Sequence, residues 1–148
     1  MIEDVIKHLR RHAKLENSID VERFDATLSQ IAGLNDPQAI RLLLPFFNDE
    51  CKFPETMFSI IHTIERFDDE TYIRELLKGL PGLWSHSPYW ANVLHFRIFN
   101  HPPTRQAYRS QLAQADPATK AAAKDLLTTM RDREPKFVEA CSEMLASL

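Results

Sequence analysis

Ile2, Val5, Ile6 and Leu9 recur at the three-and-four spacing of an amphipathic helix, and Val21, Phe24, Leu28 and Ile31 repeat it up to Gly33, which is expected to stop the run. Asp36-Pro37 reads as a capping carboxylate followed by proline at a first helical position, ahead of AIRLLLPFF, where Pro45 ends or kinks the helix. Pro54 opens another helix with Met57, Phe58, Ile61, Ile64 and Phe67 as its apolar face. Asp68 or Asp69 then caps a helix carrying Tyr72, Ile73, Leu76 and Leu77, with its end expected at Gly79 and the breaker LPG.

The same punctuation continues. Ser87-Pro88 opens YWANVLHFRIF, Pro102-Pro103 opens a segment with Ala107, Tyr108 and Leu112, Asp116-Pro117 opens an alanine-rich helix through Met130, and Pro135 opens the last, with Phe137, Val138, Cys141, Met144 and Leu145. No alternating strand pattern occurs, so the fold class is all-α. Helix starts near Pro37, Asp69 and Pro103 recur at roughly the 33 to 47 residues of helical-hairpin repeats. The expected architecture is a stack of antiparallel helical hairpins, an α-solenoid of the HEAT kind, with an irregular helical bundle as the alternative.

Composition narrows this further. A chain of 148 residues with 44% hydrophobic and 26% charged residues fits one soluble globular domain over 1–148, and three glycines suit short helix connections better than the tight turns of a barrel. The N-terminus resembles no secretory or transit signal, and no window reaches the length of a membrane span. Cys51 and Cys141 lie far apart in no metal-like spacing and read as reduced thiols of a cytoplasmic protein. A net charge of -3 provides no field that gathers nucleic acid. That charge is unevenly placed: eight acids stand against three bases between Asp49 and Glu75.

Candidate chemistry is sparse. His62 and Glu65 lie one helical turn apart and could face a metal or substrate, as in a metal-dependent hydrolase. No HExxH arrangement or cysteine pair completes such a site, and no metal or other cofactor is expected. His8 and His12 sit among Arg10, Arg11 and Lys14, a setting that disfavours a dication. No GxSxG, Walker or dinucleotide glycine pattern is present. Asp68, Asp69 and Glu70 cap a helix, yet one carboxylate suffices for that; with Asp49 and Glu50 the surplus would form an acidic rim for a basic partner, or simply a solvated charge run. Trp84, read as lying in a loop between breakers, is either a core plug or an aromatic interface anchor, and Trp90 belongs to the core.

The order of residues carries a resemblance. The LL..FF.D. start from Leu42, MFSIIHTIE, FDDETYI, LW..SP.WA and LHFRIFN together resemble the central signature of the bacterial immunity protein 30 family, over Leu42 to Asn100 with a weaker continuation to Leu112. The resemblance implies an all-helical, non-enzymatic, cytoplasmic protein that binds and neutralises the cognate C-terminal toxin domain of a polymorphic or contact-dependent growth-inhibition system. The family's recurrent positions would here be Ser59, His62, Glu65, Asp68, Asp69, Glu70, Trp84, Ser87, Trp90 and Asn100. Many toxins of such systems are nucleases with basic grooves, an EndoU-like RNase among them, which an acidic surface would fit. The toxin-binding residues expected are therefore Asp49, Glu50, His62, Glu65, Asp68, Asp69, Glu70 and Trp84. A helical-repeat scaffold with another protein partner is the alternative.

Overall fold

The computed structural model describes residues 1–148 and contains nine α-helices and no strand. They are α1 (Ile2–Arg10), α2 (Ser18–Leu34), α3 (Gln38–Leu43), α4 (Pro54–Ile64), α5 (Asp69–His86), α6 (Pro88–Phe99), α7 (Pro102–Leu112), α8 (Pro117–Arg133) and α9 (Val138–Ala146). Short 3-10 turns at Leu44–Phe46 and Pro135–Phe137 lead out of α3 and into α9.

Polar side chains set the helix starts. Asn17, Asp68 and Asp116 each accept a hydrogen bond from the backbone amide three residues on, and the Asp36 carboxylate accepts from the Gln38 amide. The end of α2 differs from the sequence expectation: the helix runs through Gly33 to Leu34, and Asn35, in the left-handed region at φ 50°, terminates it.

The larger departure concerns α5, which continues past Gly79 and through Pro81 and Gly82 to His86. Proline lacks the amide that would bond the carbonyl four residues back, that of Leu77. The buried Thr119 hydroxyl of α8 donates to that carbonyl instead, at 3.3 Å. Gly79 marks a close packing contact rather than a stop, since a Cβ there would come within 2.5 Å of Leu44 Cδ1. Tertiary contacts thus carry the helix through its breakers.

α5 sits at the centre, packed against α3, α6, α7 and α8, while α2 packs on α1 and α4, and α9 closes on α8. One continuous core joins Ile2 to Met144. These contacts fit an irregular helical bundle and do not establish a regular solenoid. On α4 the buried apolar positions are Met57, Ile60, Ile61 and Ile64, whereas Phe58 is exposed and meets the Trp90 ring edge-on at 5.3 Å.

Candidate functional site

Two structured regions flank α6. At its start, the loop after the Leu44–Phe46 turn is fastened to the helix N-terminus. Asp49 accepts from the amides of Tyr89 and Trp90 at 3.0 and 3.3 Å, so a carboxylate some forty residues earlier caps α6. The Trp90 indole donates to the Asn48 carbonyl at 3.1 Å, and the buried Ser87 hydroxyl donates to the Phe47 carbonyl at 2.7 Å.

At the other end of α6 an open cleft of about 410 Å³ forms where the C-terminal end of α4 and the first turns of α5 and α7 meet it. Arg97 donates from Nε and Nη2 to the two oxygens of Glu65, both at 2.7 Å, a bidentate pair that holds the guanidinium charged. Thr104 donates to Asp69 Oδ1 at 2.7 Å and lies 2.6 Å from His101 Nδ1. With the threonine proton committed to Asp69, His101 donates from Nδ1, and its Nε2 in the neutral ring is left as an acceptor. Asn100 forms part of the rim, and its side chain is exposed.

Tyr72 lines the floor. Its ring is 3% exposed, its hydroxyl has no hydrogen-bond partner, and burial together with the nearby Glu65 charge pushes its pKa well above the ordinary phenol range. The hydroxyl is a neutral polar group beneath charged walls. Deeper in, the fully buried His95 lies 2.7 Å from the Ala91 carbonyl and 2.8 Å from the Tyr108 hydroxyl, so Nδ1 donates and Nε2 accepts. Burial lowers its pKa to about 4.

The expected site residues fall into four places. Asp49 and Glu50 lie at the start of α6, and Glu65, Asp68, Asp69 and Glu70 gather near its end; twelve residues of helix separate them, roughly 18 Å at about 1.5 Å per residue. The two acidic turns are therefore separate patches. His62 is exposed and lines a different groove, between α2 and α4, with Asp25, Ser59 and Arg66. One Asp25 oxygen there is buried without a partner, and burial raises that carboxyl's pKa. His62 and Glu65 thus serve different clefts, and no three His, Cys, Asp or Glu side chains converge as a metal site. Trp84 lies within α5, not in a loop, and is half-buried against the core.

Arg97, Tyr72, His101 and Thr104 were not among the expected site residues. Arg97 and Tyr72 stand inside the quoted clusters LHFRIFN and FDDETYI, where Tyr72 reads as an ordinary core position. His101 and Thr104 flank Pro102-Pro103 and give no signal of their own.

The family model for immunity protein 30 matches residues 11–108, more than half of the chain. The chain belongs to the immunity protein 30 family. The match extends back from the resembling run through α2, and it includes both ends of α6. No curated protein and no solved structure matches the chain. Membership in an immunity protein family implies a toxin as partner, and no helix is long and apolar enough to cross a membrane. Within the immunity protein, Glu65, Asp68, Asp69, Ser87 and Trp90 hold helices and loops in register through the bonds described above, while Glu50, His62, Glu70 and Asn100 have exposed side chains.

Proposed function

We propose that this protein neutralises a cognate toxin domain by stoichiometric binding in the cytoplasm of the bacterium that makes both, as part of a polymorphic or contact-dependent growth-inhibition system. The observation that carries the reading is the family match over residues 11–108. The excess of acids between Asp49 and Glu75 supports a basic partner, and a nuclease, EndoU-like RNases included, has a groove of that charge. Binding would use the cleft at the end of α6 and the exposed acids beside it, with Glu50 and Trp84 as further contacts. A hydrolase built on His62 and Glu65 is disfavoured because the two side chains line different clefts.

Co-expression with the toxin domain encoded beside this gene tests the reading. Growth restored only when both proteins are present supports it. Continued growth arrest with this protein soluble and abundant overturns it for that toxin.

A further inference from the structure

We propose that the cleft at the C-terminal end of α6 is a receptor for one basic side chain of the toxin, an arginine or lysine inserted between Asp69 and Asn100 and reaching the Tyr72 hydroxyl. The inference rests on the binding role proposed above and adds the chemistry of the contact. Three observations carry it.

The first is charge. Glu65 and Arg97 neutralise each other through their paired bonds, but the partner of Asp69 is the uncharged Thr104 hydroxyl. The Asp69 carboxylate therefore has no cationic side chain paired with it in the cleft. An anionic occupant would meet that charge directly.

The second is the balance of donors and acceptors. Asp69 Oδ2 and His101 Nε2 have no hydrogen-bond partner, because the relay from His101 through Thr104 ends on Oδ1. Arg97 has already given Nε and Nη2 to Glu65. Three further Arg97 N–H groups stay free as donors, while Asp69 Oδ2 and His101 Nε2 are acceptors that an ammonium or guanidinium, which offers only donors, would satisfy.

The third is Tyr72. A buried hydroxyl without a partner costs free energy in the isolated protein, and this one lies on the floor of a polar cleft beside Glu65, Asp69 and Arg97. The hydroxyl oxygen would accept from the incoming cation. The cost in the free protein is then offset only in the complex.

Tyr72→Phe removes the hydroxyl and keeps the ring, while Asp69→Asn removes the charge and keeps an acceptor for Thr104. Titration of the adjacent-encoded toxin domain into wild type, Y72F, D69N and the remote control Glu139→Gln reads affinity, and thermal melts read folding. The cleft predicts that Y72F melts at or above the wild-type temperature yet binds about tenfold more weakly, as loss of a hydrogen bond to a charged group would give, that D69N binds at least as weakly, and that the control matches wild type. Wild-type affinity in a folded Y72F and D69N overturns the cleft and leaves the immunity reading intact. A wild-type protein that neither binds nor protects overturns both.

Discussion

Glu65 at the end of α4 and Arg97 near the end of α6 grip each other through two hydrogen bonds of 2.7 Å, and Phe58 and Trp90 meet seven residues earlier on the same two helices. Two contacts in one register mean that α4 and α6 run in the same direction, bridged by side chains. The pair forms one wall of the cleft, so its geometry sets the position of everything facing Asp69. Both side chains remain partly exposed, at 39% for Arg97 and 26% for Glu65, and solvent screens the attraction. A double-mutant cycle with Glu65→Gln and Arg97→Gln in urea should give a coupling of about 0.5–1 kcal/mol. A coupling of zero would mean that the pair is set by its neighbours and contributes no positioning of its own.

Thr119→Val should destabilise the fold by about 1–3 kcal/mol, because it leaves the Leu77 carbonyl, already denied an amide by Pro81, without any partner in the core. Restoring an amide with Pro81→Ala in the same chain should recover most of that loss. Urea denaturation of the two single variants and the double variant checks both statements.

His95 predicts an acid-sensitive fold. Its pKa is about 4 when folded, against an ordinary value of 6.5, so the unfolded chain takes up a proton that the folded one refuses. The full stability is present above about pH 6.5 and is lost as pH falls toward 4, by as much as about 1.4 kcal/mol for each unit crossed. His95→Gln should flatten that part of the stability profile, measured by urea melts between pH 7 and pH 4.5.

Glu70 is the cleanest test of long-range attraction, since its side chain is exposed and only its carbonyl is used, by Gln111. Asp68 caps α5 and Asp69 holds Thr104, so reversing either would mix folding with binding. Glu70→Lys should slow association with the toxin several-fold at low salt while costing α5 no more than about 1 kcal/mol from the reversed first-turn charge, and the difference in rate from wild type should shrink as salt is added. Stopped-flow binding at two ionic strengths reads it.

Much of the fold is legible because capping chemistry is local. Pro54, Ser87-Pro88, Pro102-Pro103 and Asp116-Pro117 announce helix starts from their own residues, and the structure begins helices at each. The end of α5 is not legible for the opposite reason. Leu80-Pro81-Gly82 carries every local sign of a break, and what overrides it is Thr119, some forty positions later, together with the close fit of Gly79 against Leu44. Trp84 changed from loop to helix with it. The cleft follows the same division: Glu65, Asp69 and Asn100 stand in recognisable clusters, but the bond to Arg97 and the unpartnered Tyr72 hydroxyl exist only once α4, α5 and α6 are packed. The expected acidic rim divides into two patches because Asp49 caps one end of α6 while Asp69 serves the other.

The most direct measurement is inhibition of the purified toxin domain's activity as this protein is titrated against it. Neutralisation by binding predicts that activity falls linearly to zero at one equivalent and that the two proteins co-elute as a complex. Full toxin activity in the presence of excess protein, or complete inactivation by a small fraction of an equivalent, would contradict it.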